Sequence, residues 1–211
     1  MDRSCVQRAV TLSICSSMAK QGRYYVPAAS SARHVHLCQK DIEVLFGSGY
    51  QLSEFKALSQ PGQFASNEKI SLKGSRGQID GIRVLGPARP DTQVEISLTD
   101  SFKLGVKPMV RMSGNVDGAP GATLIGPKGQ VELVQGVLIS ARHLHINEQQ
   151  AAEFNMKDGD VVCLKKGGER ETIFGNVVVR CGSGHSLEVH LDTDEANAAL
   201  LKNGDLLEVI R

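Results

Sequence analysis

From residue 23 onward, apolar residues occur in short runs separated by Gly, Pro and polar residues. Short runs rich in β-branched residues and bounded by turn residues are typical of strands. Three Gly-containing segments between such runs, at 74–77, 126–129 and 166–169, predict hairpin turns. The pattern predicts a mainly β protein with short helices, and its strand candidates are residues 24–26, 82–85, 94–98, 131–133, 137–139, 161–164, 177–179 and 187–191.

The first twenty residues follow a different pattern. Apolar residues recur there at four-residue spacing, which places one stripe along a helix, formed by Val6, Val10, Ile14 and Met18. A secretory signal is a competing interpretation, because residues 9–15 are mildly apolar and follow a basic residue, although Thr11 and Ser13 interrupt the run. A docking or targeting helix, a disordered tail or cloning remnant, and a signal all remain open for residues 1–20.

Composition argues against several classes of protein. The chain has 211 residues, enough for one large core or two small ones. Its 24 basic and 23 acidic residues leave a net charge of +1, so neither nucleic acid nor a membrane surface is expected as the main partner. No apolar run approaches the roughly 18 residues that a membrane span needs. The five cysteines are scattered without a C-x-x-C pair, which favours a reducing cytosol over a disulfide framework.

The chain carries an internal repeat marked by histidines. The sequence R-H-x-H occurs at residues 33–36 and again at 142–145, and these two copies hold four of the six histidines. A short helix is predicted after each copy, at 40–46 behind Cys38 and at 148–154 behind Asn147, where Asn is a good N-cap and Cys a poor one. Further on, residues 95–100 are echoed by 188–194, and each echo leads into another short helix. The repeat predicts two related β-rich halves.

The paired histidines predict metal binding. Residues two apart on a strand point to the same face, so each copy aims two imidazoles at one point. The alternative is a pair of structural histidines hydrogen-bonded to the backbone. Because the pairs occupy corresponding places in a repeat, the pattern favours metal ligands, with zinc the best match and copper, nickel or iron as alternatives.

Each histidine pair needs a third protein ligand. His190 is the natural candidate in the second half because it lies within an apolar strand, whereas His185 follows a Gly-Ser-Gly turn. Glu95 is the candidate in the first half, where a solvated strand carboxylate is the alternative interpretation. The letters of the repeat align Glu95 with Glu188 and His190 with Ser97. That alignment offsets the two candidate ligands by two residues but keeps them on the same strand face.

Three arginines and one cysteine accompany these motifs. Arg33 and Arg142 alternate away from the histidines, which predicts structural or salt-bridged side chains. Arg89 lies in a turn that leads to Glu95, where a guanidinium could bind an anion beside the first metal, and an ordinary loop arginine is the alternative. Cys38 alternates with the first histidine pair, but the second copy has Asn at that place, so we interpret it as a cap position.

Together these motifs resemble the PduL-type phosphate propanoyltransferase family, the phosphotransacylases of bacterial microcompartments. The resemblance covers residues 23–211, and its marks are the segments 31–36, 58–64, 85–89, 92–95, 141–145 and 190–197. It implies two related β-barrels packed around a central active site: 33–140 with inserted loops as one half, and 21–32 plus 141–211 as the other. The strand near 21–32 would then pack with the C-terminal half. Residues 1–20 would be an amphipathic extension, a candidate encapsulation peptide for microcompartment shell or core proteins.

The resemblance also implies a site. It assigns two Zn²⁺ per chain, one to His34, His36 and Glu95, and the other to His143, His145 and His190. Arg89 matches the arginine that the family associates with phosphate. Cys38 replaces the Ser common at that position.

The implied reaction converts a short-chain acyl-CoA, propanoyl-CoA or acetyl-CoA, plus phosphate into acyl phosphate plus coenzyme A, reversibly. Direct attack by phosphate is expected, because no Cys or Ser stands in a base-paired arrangement. A zinc-dependent hydrolase such as a thioesterase, and a binding module whose metals only staple small barrels, are the alternatives. The implied location is the bacterial cytoplasm, inside a microcompartment of the propanediol-degrading kind. The sequence does not determine the preferred acyl chain, the compartment pathway or the oligomeric state. A homo-oligomer is one of the open alternatives.

Overall fold

The computed structural model describes residues 3–210 and divides the chain into two compact units. Met1, Asp2 and Arg211 lie outside the described residues, and with them the first two positions of the predicted extension and the last position of the second half. The barrel unit comprises the chain up to Ser31 together with the chain from Ala141 onward. The sheet unit comprises Ala32–Ser140.

The barrel unit contains a closed six-stranded barrel. Its strands are β1 (Tyr25–Ser31), β11 (His143–Ile146), β12 (Val161–Lys166), β13 (Thr172–Cys181), β14 (Glu188–Asp192) and β15 (Leu206–Ile210), and its helices are α1 (Arg3–Ala19), α4 (Glu148–Glu153) and α5 (Thr193–Ala198). The strand order is β1-β14-β11-β13-β12-β15. Strand β1 runs parallel to β14 and antiparallel to β15, so the first strand of the barrel pairs with two strands of the C-terminal segment.

The sheet unit contains nine strands in one partly curled sheet. They are β2 (His34–His36), β3 (Glu54–Ala57), β4 (Phe64–Lys73), β5 (Gln78–Gly86), β6 (Gln93–Glu95), β7 (Met109–Arg111), β8 (Ala122–Ile125), β9 (Gln130–Leu133) and β10 (Val137–Ser140), accompanied by α2 (Gln39–Phe46) and α3 (Leu98–Leu104). The order is β7-β10-β6-β2-β5-β4-β8-β9, with β3 on the outer part of β4. The predicted mainly β fold with short helices is therefore confirmed.

Alternation within the histidine strands decides which way the imidazoles point. In β11, Leu144 and Ile146 are fully buried in the core of the barrel unit. In and directly after β2, Val35 and Leu37 are fully buried in the core of the sheet unit. Because neighbouring residues on a strand face opposite sides, the histidines between these apolar residues point away from both cores.

The caps of the short helices follow the sequence. Asn147 caps α4, since its side-chain oxygen accepts a hydrogen bond from Gln150 N at 2.8 Å. Cys38 occupies the same position before α2 and makes no side-chain cap hydrogen bond, as expected of a poor cap. The strand predicted at 94–98 ends at Glu95 instead, because Ser97 forms a capping box with Asp100 and the chain enters α3.

Helix α1 confirms a helical N-terminal segment, but its apolar stripe does not face the barrel. Cys15 and Ala19 are buried in the barrel core, and Leu12 packs against it. Val6, Val10 and Ile14 are 46–53 % exposed on another face. No helix within residues 3–210 has the length and apolar character that crossing a membrane requires.

Candidate functional site

The first cluster joins β2 to its antiparallel neighbour β6 in the sheet unit. His34 pairs in register with Glu95, and their Nε2 and Oε2 atoms lie 3.5 Å apart. The rings of His34 and His36 lie edge to face with centroids 4.9 Å apart. All three side chains are buried, and each offers a ligand atom within 4.8 Å of the other two.

The second cluster joins β11 to its antiparallel neighbour β14 in the barrel unit. His143 pairs in register with His190. The ring centroids of His143 and His145 are 4.7 Å apart, and those of His190 lie 5.0 and 4.9 Å from them. One ligand atom from each residue again falls within 4.8 Å of the others. The structure thus brings together both sets of three residues that the sequence singled out.

The strand register corrects the alignment of the two third ligands. Glu95 lies opposite His34 as His190 lies opposite His143, so the two candidates occupy equivalent positions and are not offset by two residues. The equivalent of Glu188 is Gln93, not Glu95. The error came from matching acidic letters, whereas the helix caps, Ser97 and Asp192, each lie two residues after the candidate ligand and mark the true correspondence.

The imidazole nitrogens are arranged alike in the two clusters. Nδ1 of His34 lies 2.8 Å from the carbonyl oxygen of Ala32, and Nδ1 of His143 lies 2.8 Å from that of Ala141, which leaves Nε2 of each ring for a ligand. Within the described residues, Nδ1 of His36 and of His145 is buried without any hydrogen-bond partner. Buried polar atoms are rarely left so. An orphaned nitrogen at the same place in both clusters fits a metal as the missing partner.

Electrostatics keeps the inner imidazoles neutral, as metal binding requires. Burial, and after it the charges of His190 and His143, together lower the pKa of His145 to about 2. Burial, and after it the charges of His34 and Arg89, lower the pKa of His36 to about 2 as well. Both rings therefore offer a free lone pair at neutral pH, which no protonated imidazole can.

The arginines of the two R-H-x-H copies are structural, as predicted. Arg33 forms a two-point ion pair with Asp100, at 2.8 and 2.7 Å. Arg142 donates to Glu195 at 2.5 Å. Both carboxylates belong to capping boxes, so each arginine ties its histidine strand to the helix that follows the third-ligand strand.

Arg89 belongs to a polar network that ends at Glu95. Its Nη1 donates to Ser113 Oγ at 3.1 Å. Gln93 Nε2 donates to the same Ser113 oxygen at 3.0 Å and to Glu95 Oε1 at 2.6 Å, while Gly114 N donates to Gln93 Oε1 at 2.7 Å. Ser113 and Gly114, which follow β7, thus bring their loop into contact with the side chains next to Glu95.

A cavity of about 190 Å³ opens beside this network, lined by Arg89, Pro90, Asp91, Gln93, Gly114 and Val116. An anion held there would meet the guanidinium of Arg89, while the carboxylate of Asp91 lines the same cavity. A larger depression of about 340 Å³ over β4 and β8 contains Lys69 but none of the candidate ligands, so we do not associate it with the metal chemistry.

His185 lies closer to the second cluster than its turn position suggested. Its ring centroid is 4.4 Å from that of His145, although its nitrogens do not join the group of ligand atoms. Cys38 is likewise outside the first ligand group, and its backbone N donates to Thr92 Oγ1. The preference for His190 over His185 as a ligand, and the interpretation of Cys38 as a cap position, stay predictions.

Comparison with known proteins decides the family. The sequence model described as phosphate propanoyltransferase matches residues 27–202. The chain belongs to the phosphate propanoyltransferase family. The phosphate propanoyltransferase of Thermotoga maritima is 48 % identical over 85 % of this chain and 86 % of its own length, and that of Rhodopseudomonas palustris is 43 % identical over 89 % and 83 %. That of Sebaldella termitidis is 37 % identical over the full length of both chains.

Membership of the phosphate propanoyltransferase family makes the chain an acyltransferase and supports phosphate acyltransferase activity. Sequence reasoning missed Gln93, Ser113 and Arg8 as parts of the surroundings of the two clusters. Gln93 could have been found, because it lies two residues before Glu95 on the same strand face. Ser113 and Arg8 reach their partners only through the fold, and no local pattern marks them.

Proposed function

We propose that this chain is a zinc-dependent phosphate propanoyltransferase that moves a propanoyl or acetyl group between coenzyme A and phosphate. The observation that supports the metal is the pair of three-residue clusters, each with one orphaned buried Nδ1. The observation that supports phosphate is Arg89 at the cavity beside the first cluster. We assign one Zn²⁺ to each cluster, two per chain, since three imidazole and carboxylate ligands with one open position suit catalytic zinc.

The reaction proceeds by direct transfer. An oxygen of phosphate attacks the thioester carbonyl carbon, the carbon–sulfur bond breaks, and coenzyme A leaves as the thiolate while acyl phosphate forms. Zinc held by the residues of the two clusters would supply Lewis-acid chemistry that stabilises the negative charge developing in this step. Arg89 holds phosphate and offsets the repulsion between two anionic substrates.

The surrounding residues support Arg89 as the phosphate ligand and argue against an acyl-enzyme. Ser113 Oγ accepts hydrogen bonds from both Arg89 and Gln93, so it faces donors and no base that could activate it. Gln93 in turn donates to Glu95, which leaves the carboxylate oriented towards His34. A direct mechanism predicts no exchange of labelled coenzyme A into propanoyl-CoA when phosphate is absent, and measurable exchange would refute it.

The decisive assay measures release of coenzyme A from propanoyl-CoA and from acetyl-CoA, with and without phosphate and chelator. A transferase releases the thiol only when phosphate is present, whereas a thioesterase releases it with water alone. Release that is independent of phosphate would therefore sink the proposal in favour of the hydrolase. Arg89→Ala should raise the KM for phosphate or lower kcat strongly, while Arg111→Ala, an arginine on β7 of the same unit, should leave both near wild type.

Metal analysis tests the ligand assignment separately. The wild-type protein should carry two zincs, and the paired replacement of His143 and His145 by Ala should leave one. The paired replacement of His34 and His36 should also leave one. A variant from either pair that still holds two zincs per chain would refute the assignment for that cluster.

We further propose that residues 1–20 direct the protein to a bacterial microcompartment in the cytoplasm, with shell or core proteins as partners. Val6, Val10 and Ile14 form an exposed apolar face on α1 that the barrel unit does not cover. Such a face is available to a second protein. Replacing all three by Gln should abolish co-purification with shells and leave the helix attached through its other face. Unchanged co-purification would reject this face as the targeting surface.

A further inference from the structure

Each candidate third ligand is hydrogen-bonded by the residue two positions earlier on its strand. In the sheet unit, Gln93 donates Nε2 to the Glu95 carboxylate at 2.6 Å. In the barrel unit, Glu188 Oε2 lies 2.9 Å from His190 Nε2. The chemistry is complementary, because an amide can donate to a carboxylate ligand and a carboxylate can accept from an imidazole ligand. Between the two clusters, the change of ligand from Glu95 to His190 is therefore matched by the change of its hydrogen-bond partner from Gln93 to Glu188.

The carboxylate of Glu188 determines which nitrogen of His190 can bind a metal. An ionised carboxylate only accepts hydrogen bonds, so Nε2 of His190 must carry the proton. The lone pair is then left on Nδ1, in a ring whose centroid lies 5.0 and 4.9 Å from those of His143 and His145. Carboxylates that accept the second N–H of a ligating histidine fix its tautomer and ring orientation.

A buried carboxylate needs compensation for its lost hydration. Glu188 is only 5 % exposed, and its second oxygen, Oε1, lies 2.6 Å from Nη1 of Arg8. Nη2 of the same guanidinium donates to Ser186 Oγ at 3.0 Å. The two oxygens of Glu188 thus have different tasks: one faces the arginine, and the other faces His190.

Arg8 belongs to α1, 180 residues away along the chain. The helix is fixed on the barrel unit by buried Cys15 and Ala19 and by a hydrogen bond from Ser16 Oγ to Glu153 Oε2 at 2.6 Å. These anchors present the guanidinium of Arg8 to Glu188 at a defined position. The helix is therefore not only an appendage with an exposed stripe, since its inner face reaches the surroundings of the second cluster.

We propose that Arg8 and Glu188 are positioning residues of the second metal site, and that α1 is an integral part of that site. Arg8 fixes the position of Glu188, and Glu188 fixes the tautomer of His190. Displacement of α1 by a partner would therefore lower the affinity of the second site for its metal. The inference rests on the proposed zinc site. It adds a role for the N-terminal helix that is independent of targeting, because the exposed stripe and Arg8 lie on different faces.

The test measures zinc release to a chromogenic chelator from the full-length, zinc-loaded protein. The phase of zinc release that is present in the wild type and absent from His145→Met belongs to the second site. Glu188→Gln should release this zinc roughly 10–100-fold faster or bind it correspondingly more weakly, the range typical of such outer carboxylates. Arg8→Gln should have a smaller effect in the same direction, about 3–10-fold, because it acts one step further from the metal. Arg8→Lys should restore part of it.

Two controls separate positioning from mere attachment of the helix. Ser16→Ala removes an anchor of α1 without touching Glu188, and the triple Gln variant of Val6, Val10 and Ile14 changes the exposed face. Both should keep the wild-type release rate, because buried Cys15 and Ala19 still hold α1 on the barrel unit when the Ser16 hydrogen bond is lost. In the Glu188→Gln background, Arg8→Gln should add nothing, since residues that act through one another are not additive.

The outcomes distinguish this inference from the function on which it rests. A wild-type chain that binds two zincs, with unchanged release from Arg8→Gln, would overturn the role of α1 and leave the zinc enzyme intact. An effect of Ser16→Ala as large as that of Arg8→Gln would also overturn it, because general loosening of the helix would then explain both. A wild-type chain without zinc would overturn the metal part of the proposed function together with this inference.

Discussion

Replacing His145 by Met should change the stability of the metal-free and the metal-loaded protein in opposite directions. In the metal-free protein, Nδ1 of His145 is buried without a hydrogen-bond partner in the described structure, and such a group costs about 1–3 kcal/mol. Met removes the polar atom and fills an irregular space at a packing cost below about 1.5 kcal/mol. Metal-free His145→Met should therefore have an unfolding free energy close to that of wild type or higher by up to about 3 kcal/mol.

The matched control is His143→Met in the same strand. His143 Nδ1 lies 2.8 Å from the carbonyl oxygen of Ala141, so this substitution breaks a contact and leaves a carbonyl unsatisfied. A loss of about 1–3 kcal/mol is expected. Urea unfolding of both chelated variants at pH 7.5, followed by circular dichroism, gives the comparison. If metal-free His145→Met were destabilised as much as His143→Met, the orphaned nitrogen would be the wrong explanation of the site.

Acid should widen the gap between the wild type and His145→Met. The pKa of His145 in the folded, metal-free protein is about 2, against an unfolded value of 6.5. Below pH 6.5 the unfolded chain therefore takes up a proton that the folded chain does not, so stability is complete above that pH and is lost as the pH falls. The loss amounts to about 1.4 kcal/mol per pH unit for this one group. His145→Met does not lose stability in this way, and urea unfolding of both proteins at pH 5.5 measures the difference.

Zinc should reverse the order. A ligand that binds only the folded state stabilises it by about 2.7 kcal/mol at a free concentration one hundred times its Kd. Wild type gains this stabilisation at the second site and His145→Met does not, so the variant becomes the less stable protein once zinc is added.

Two further predictions concern helix caps and thiols. Cys38 and Asn147 have nearly the same backbone conformation before α2 and α4. In urea unfolding, Cys38→Asn should therefore gain about 1 kcal/mol of unfolding free energy, and Asn147→Ala should lose about as much. A loss in Cys38→Asn would contradict the equivalence of the two caps. Cys15 is fully buried, and burial raises the pKa of its thiol to about 11. A maleimide should therefore label exposed Cys5 in the native protein and reach Cys15 only after denaturation, which mass spectrometry of the labelled peptides measures. Rapid labelling of Cys15 in the native protein would mean that α1 does not stay on the barrel.

The sequence predicted the histidine geometry because strand alternation is a local rule. Leu144 between His143 and His145 is buried, and this alone directs both imidazoles to the other face. The sequence predicted that each histidine pair takes a third ligand from a later strand. It misaligned the two third ligands, Glu95 and His190, by two residues. Register depends on hydrogen bonding between strands and on where the following helix begins, and Ser97 and Asp192 mark that point better than the acidic letters did.

The N-terminal helix shows the limit of local reasoning. Its four-residue spacing predicted a helix and an apolar stripe, and the helix is present. An apolar stripe usually faces a protein's own core, but here Val6, Val10 and Ile14 are exposed while Leu12, Cys15 and Ala19 pack on the barrel. No property of residues 1–20 alone could show that Arg8 meets a carboxylate 180 residues later.

The two clusters are built on one plan with different chemistry, and the plan explains why the differences come in pairs. A carboxylate ligand, Glu95, is accompanied by a neutral amide donor, Gln93, so the first set adds one negative charge next to a cation. An imidazole ligand, His190, is accompanied by the carboxylate Glu188, so the second set also carries one negative charge, but one position further from the metal. The charge that each cluster would offer a metal is thus similar, while the atom that bears it differs. A carboxylate that binds zinc directly lowers its Lewis acidity more than one acting through an imidazole. Under the proposed function, a zinc held by the second cluster should therefore be the stronger Lewis acid, and a zinc held by the first, beside Arg89, should be better suited to holding an anionic substrate in place.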